Sequence, residues 1–474
     1  MRIEHDGLGS LEVPEGAYYG NVTERNRRAL DISPKTLKNY IAYPKAIAKV
    51  KIACARANAD IGALDPKKAA AIERAAQEII DGKFDSEFPV CIYRGIGTPA
   101  NMAVNEVIAH RANEILTGRK DSGGIHPNTH VNMCTSTNDV SPTAKEIVVY
   151  ESLGGLIGRA RHFEDVLSAK AEEFKDVVKM GRTGLQDAVP VTLGMEFRMY
   201  RDSVRRSVSR IEENRPHWNR STMGGTAVGT GMGAMPGFKD AVNKRLSEVL
   251  GRPIVPEDDL LDGMTSTDSL VAAHGLIEAL AVSVWHIARD LRIMASGPRA
   301  GFNEITLPAV APGSSIMPGK VNPVIPEMIF LTCDQVVANH ASLVAGTMTG
   351  WLELAGISSF PLMSIMDSCD LLGRSLTVFA DKCVAGVTAN KERCLAEVLQ
   401  STSLATLVST LLGYEAGTRA ARLALDKGIT VKEAARELKV LPDEVLDELF
   451  DVKNMTDADR MEALLKKFGK YRKV

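Results

Sequence analysis

Residues 141–180 read SPTAKEIVVYESLGGLIGRARHFEDVLSAKAEEFKDVVKM, with no proline after Pro142. Ile147, Val148, Leu153, Ile157, Phe163, Val166, Leu167 and Phe174 recur close to a 3.6-residue period, which predicts one long helix. The runs Asp268–Met294 and Pro326–Met348 are apolar on several faces rather than in a single stripe. A helix wetted on one side has no use for that pattern, so both runs are expected inside a bundle. Runs of about 25 residues exceed the roughly 11–12 of an ordinary globular helix, which points to a long central bundle. The strand–helix alternation of a doubly wound sheet is missing, and short strand signals occur only near the start, at Arg2–Ile3 and Leu11–Val13. The expected fold is mainly α.

Three parts are expected: a mixed, mostly helical segment 1–137, the long-helix bundle 138–390, and shorter amphipathic helices in 391–474. The last part ends in the basic tail Lys466, Lys467, Lys470, Arg472 and Lys473, which reads as a solvated end rather than a binding site. At 474 residues the chain can bury a large core in two or three domains. Its 45% hydrophobic and 24% charged residues suit a soluble globular protein, and a net charge of −2 makes no case for nucleic acid or an anionic membrane. The opening MRIEHDGLGS lacks the basic start and apolar run of a signal peptide. Apolar stretches such as 276–285 are broken by Glu278 and followed by His286 and Arg289, so no membrane span is expected. Seven cysteines without a CxxC pair argue against a disulfide framework or a zinc knuckle and fit a reducing cytoplasm.

Polar segments marked by glycine or proline interrupt the helical text. In Gly313-Ser314-Ser315-Ile316-Met317-Pro318-Gly319-Lys320-Val321-Asn322-Pro323, the glycines and prolines rule out a continuous helix. Two hydroxyls, an ammonium and an amide are thus presented from a loop; a surface turn between helices is the plain alternative. His130–Asp139 gathers Asn132, Thr135, Ser136, Thr137 and Asn138 just before a long helix. They are ordinary N-caps, and the same helix start also favours a carboxylate. Thr98, in Gly97-Thr98-Pro99-Ala100-Asn101-Met102, is a weaker signal of that kind, and Gly181–Pro190 is explained almost as well by a reverse turn.

The set persuades where each member does not. GTPANMAVNEV, STND, GRTGLQDAVPVTLGMEF and GSSIMPGKVNPVIPE, in this order, closely resemble the aspartase/fumarase superfamily, and within it the aspartate ammonia-lyase branch. The similarity runs from RIEHDGLGSLEVPEGAYYG through SGPRAGFNEITLP to TANKERC, so it covers most of the chain. The resemblance implies a three-domain fold whose long helices form the core of a homotetramer, with active sites shared between chains. It implies a cofactor-independent, metal-free lyase that takes a proton from carbon beside a carboxylate and expels an amine. Ser314 would be the general base on a mobile loop. Thr98, Ser136, Thr137 and Ser315 would hold the carboxylate that gains charge, Lys320 and Asn322 the second carboxylate, and Asn138 and Thr183 would sit near the leaving amine.

Departures concern the substrate. Many family members carry histidine, and some aspartases glutamine, where this chain has Gly184. Arg94 and Ile96 replace smaller residues before Thr98, and Pro99-Ala100 replaces a hydroxyl pair. These positions are read as specificity determinants, leaving aspartate, a bulkier amine such as that of ergothioneine, or fumarase-like hydration. Gly184 is otherwise a silent change. A non-catalytic relative that keeps the bundle, as lens crystallins do, is the remaining alternative; it would have no need of Ser314, Lys320 or the STND hydroxyls.

The glycine run Gly224–Ala234 contains a nominal G-x-G-x-x-A. No preceding strand is visible in the sequence, so a dinucleotide fold is not expected. Pro127 between His126 and His130 argues against a helical histidine pair, and no carboxylate or cysteine is placed to complete a metal site. In the family this region is a secondary anion site.

Overall fold

The computed structural model describes residues 1–355 and 358–472, so Lys473 of the basic tail lies outside the described residues. Helices dominate. The longest, Thr137–Glu173, is followed by Leu193–Asn214, Asp268–Met294, Val324–Thr347 and Phe360–Lys382. The chain divides into two compact units: Met1–Gly158 with Val208–Ala281 and Cys333–Gly373, and Arg159–Ser207 with Val282–Thr332 and Arg374–Val474.

In the first unit a continuous core of Tyr43, Ile47, Ile72, Val104 and Phe238 binds the helices Ala42–Asp60, Pro66–Ile80, Thr98–Thr117 and Phe238–Leu250. The hairpin Arg2–Asp6/Gly9–Val13 stands where the sequence signals it. Polar side chains set the register of the long helices here. His274 Nε2 lies 2.9 Å from Ser368 Oγ, and Asn339 Nδ2 donates to the same oxygen at 3.0 Å. In the second unit Phe163 stacks on Phe379 at 5.2 Å, and Val398, Val408, Ala420, Leu446 and Leu449 make a separate core among the short C-terminal helices.

Four expectations are corrected. The long helix starts at Thr137, before Pro142, and ends at Glu173; residues 178–180 belong to a hairpin, Val178–Thr183 with Gln186–Thr192. Strands are therefore not confined to the start. A two-residue strand, Arg220–Ser221, does precede the glycine run and pairs in parallel with Val255–Pro256. Finally, Asp268–Met294 and Val324–Thr347 are long and apolar enough to cross a membrane by length and composition, with mean hydropathy 1.6 and 1.2. Scattered charged residues do not offset so many Leu, Val, Ile and Ala, because hydropathy averages over the window. Apolar side chains on these helices and on Phe360–Lys382 remain exposed in the single chain, among them Val282, Leu331, Val337, Leu371 and Val378.

Candidate active site

The start of the Thr137 helix is built by a reciprocal cap. Ser136 Oγ accepts the Asn138 amide at 3.2 Å, and Asp139 Oδ1 accepts the Ser136 amide at 2.9 Å. The other Asp139 oxygen accepts amides of Thr226 at 3.0 Å and Gly224 at 3.4 Å. The amides of the glycine run are thus turned onto a buried carboxylate. Asn138 Nδ2 donates to the Ala227 carbonyl at 2.9 Å, so the run also fixes the Asn138 side chain.

Behind these residues, Asn132 Oδ1 accepts from Lys51 Nζ at 2.8 Å and from Asn101 and Asn105, each at 3.1 Å. Asn101 also donates to Thr137 Oγ1 at 3.2 Å, tying the helix that begins at Thr98 to the one that begins at Thr137. Burial holds the Lys51 ammonium down to about 8. Lys51 escaped the sequence reading, and Asn101, Asn132 and Asp139 entered it only as members of the polar segments; the Asp three residues after the Ser136 cap was the available signal for its role.

Thr98, Thr137 and Asn138 line one cavity of about 60 Å³, with Arg94 and Ile96. Ile96 is 1% exposed and mainly a core residue, whereas Arg94 is exposed. Ser136 adjoins this group as its helix cap.

Thr183 and Gly184 belong to the other unit, in the tight turn of the Val178–Thr192 hairpin. Gly184 and Leu185 both have positive φ, +59° and +63°, which is the geometry of a two-residue hairpin turn with left-handed central positions. Glycine relieves strain there, a reason for Gly184 that is independent of substrate. The hairpin is anchored by ion pairs on buried Glu304, from Arg182 at 2.6 Å and Lys179 at 3.2 Å. Gly184 also lines a cavity of about 640 Å³, together with Arg182, Glu196, Tyr200 and Arg289.

Ser314, Ser315, Lys320 and Asn322 lie in a loop closed by Gly313 N–H to the Lys320 carbonyl at 2.7 Å and Asn322 Nδ2 to the Gly313 carbonyl at 3.2 Å. A Cβ at position 313 would stand 2.7 Å from Asn322 N, so closure requires glycine. Ser314 Oγ accepts the amides of Ile316 at 3.2 Å and Met317 at 3.0 Å. Ser315 and Lys320 are exposed.

His126 caps the next turn in extended backbone, so the two histidines are not a helical pair; what differs is the part played by Pro127. Pro127 opens a helical turn, Pro127–Val131, instead of breaking one, because proline at a first helical position sacrifices no bond. The His126 amide donates to His130 Nδ1 at 2.9 Å, and His130 Nε2 lies 2.9 Å from Lys68 Nζ.

Burial pushes the Asp139 carboxyl up to about 7, against its amide donors and Lys51. An unfolded aspartate titrates near 3.9, so stability from this group is present below about pH 4 and lost as pH rises through about 7. Asp139→Ala should lower unfolding stability by about 2–4 kcal/mol, since buried amides lose their acceptor. Urea denaturation should show the largest deficit at the acid end of that window.

A family model described as lyase matches residues 9–338, and one described as the fumarase C C-terminus matches 404–457. Aspartate ammonia-lyase of Helicobacter pylori is 40% identical over 457 residues, 96% of this chain and 98% of that protein. Mitochondrial fumarate hydratase of Danio rerio is 40% identical over 451 residues, 94% of this chain and 88% of that one. The solved fumarate lyase:delta crystallin of Brucella melitensis, bound to cobalt, superposes with a TM-score of 0.93 at 40% identity, covering 96% of this chain and 99% of that one. The chain belongs to the aspartase/fumarase superfamily, has its mainly helical fold, and is a lyase.

Proposed function

We propose that the chain is a carbon–nitrogen lyase that eliminates an amine from a carboxylate substrate, aspartate to fumarate and ammonia being the leading reaction. The observation that carries the mechanism is the pair of amides donated to Ser314 Oγ. A serine hydroxyl is a very weak acid in water, and becomes a base only when its alkoxide meets fixed donors in a dry site. Ser314 takes the proton from the carbon beside one carboxylate, and that carboxylate carries the charge as an aci-anion. Thr98, Ser136, Thr137 and Ser315 hold it, Lys320 and Asn322 hold the second carboxylate, and Asn138 and Thr183 face the departing amine. Donors that bind the aci-anion more tightly than the ground state accelerate the step.

In this reading the copies form a cytoplasmic homotetramer with shared active sites, working without cofactor or metal. Residues 1–137 and 391–474 are the outer domains and 138–390 the shared bundle. The exposed apolar residues of the long helices support this assembly, because burying them against other copies removes them from water. The seven free, buried cysteines suit a reducing compartment.

The Danio rerio relative favours a second reading, hydration of a double bond. The cavity beside Gly184 leaves room for a third, elimination of a bulkier amine such as that of ergothioneine. Absorbance near 240 nm, which follows a carboxylate-conjugated double bond, should rise with aspartate. A rise with malate or ergothioneine instead moves the substrate. Silence with every β-substituted acid tested, from a folded tetramer, overturns the enzyme reading in favour of a scaffold.

A further inference from the structure

Lys145 escaped the sequence reading because it lies two turns into a helix, beyond the STND motif. On that helix Thr137, Ser141 and Lys145 follow one another at intervals of four, so they share a face. Helical side chains lean toward the N-terminus, which carries the Lys145 stem back toward Ser141 and Asn138. All four residues line the same small cavity as Thr98 and Arg94. Among the described residues the lining holds two cations and no carboxylate, and its volume of about 60 Å³ suits one planar anion.

The cations differ in setting. Lys145 is 6% exposed, and burial depresses its ammonium to about 8. Arg94 is exposed. The neighbouring acid, Glu146, accepts from Ser269 Oγ at 3.2 Å; its charge acts on Lys145 from outside the cavity lining.

We propose that Lys145 is the charge-stabilising residue of the Thr98–Asn138 cavity, selecting a fully ionised carboxylate over its amide and favouring the aci-anion during turnover, while Arg94 draws the anion in. This rests on the lyase reading above. A buried ammonium acts at low effective dielectric, so its attraction grows most as the carboxylate gains charge, whereas an exposed guanidinium is screened by salt. Lys145 therefore acts chiefly on kcat and Arg94 on KM.

The test compares Lys145→Met, Lys145→Arg, Arg94→Ala and Ser314→Ala, with succinate as an unreactive dicarboxylate and succinamate as its monoamide. Lys145→Met should lower kcat about a hundredfold, weaken succinate binding at least tenfold, and erase the preference for succinate over succinamate. Lys145→Arg should restore part of each. Arg94→Ala should raise KM several-fold and flatten the salt dependence of kcat/KM. Ser314→Ala should bind succinate as the wild type does, because the base is not needed for binding. Folded Lys145→Met with wild-type succinate selectivity overturns the inference and leaves the base assignment standing; an active Ser314→Ala overturns that assignment while the succinate comparison still decides Lys145. Should Lys145→Met not fold, Lys145→Gln takes its place: loss of the preference for succinate over succinamate supports the proposal, and wild-type selectivity in the folded variant overturns it.

Discussion

Ser314→Ala is expected to cut kcat by about 10³-fold while leaving helix content and oligomer mass unchanged. The magnitude follows from removing the group that accepts the proton, where general base catalysis contributes about 10²–10⁴. The structural cost is small, because the hydroxyl's bonds are to the Ile316 and Met317 amides within its own loop. Those amides face water once the acceptor is gone, a loss of about 1 kcal/mol confined to the turn. Initial rates at 240 nm with matched circular dichroism check it. A variant within tenfold of the wild type would remove serine as the base.

Lys320→Met should reduce kcat/KM by about 10²-fold, mostly through KM. Its backbone closes the loop, accepting from Gly313 N at 2.7 Å and donating to the Met317 carbonyl at 3.2 Å, and methionine keeps both bonds. What is lost is the ammonium, which makes no ion pair among the described residues and is exposed at the loop tip. With the loop closed over substrate the pair is desolvated, and losing one partner of such a pair costs about 2–5 kcal/mol. Arginine at 320 should recover part of the loss, and steady-state kinetics with the substrate found in the 240 nm panel would read it. Unchanged KM would take Lys320 out of carboxylate binding.

The bundle was legible because it is written in periodicity. Asp268–Met294 forms over the residues its apolar pattern predicts, and Val324–Thr347 lies within two residues of the expected run. Proline misled twice. Pro142 lies inside the helix rather than at its start, and the Ser136–Asp139 cap sets the first turn ahead of it. Pro127 suggested a break and instead begins a turn. The hairpin at 178–192 was hidden because Gly184-Leu185 reads as a generic turn unless its left-handed geometry is known.

Site residues in compact motifs could be named from sequence; those acting across helices could not. Lys51 reaches Asn132, 81 positions away, and nothing local announces that pairing. Arg94 and Lys145 share a cavity though far apart in the chain. Gly184 shows how one residue serves two readings, since turn geometry and an open cavity both account for a missing side chain.

Proton transfer at carbon is the centre of the account, and deuterium incorporation followed by proton NMR tests it most directly. In heavy water, with fumarate and ammonium, the wild type should place one deuteron on the carbon next to a carboxylate, and Ser314→Ala should slow this by about 10³-fold. Incorporation by the folded variant at the wild-type rate would contradict it.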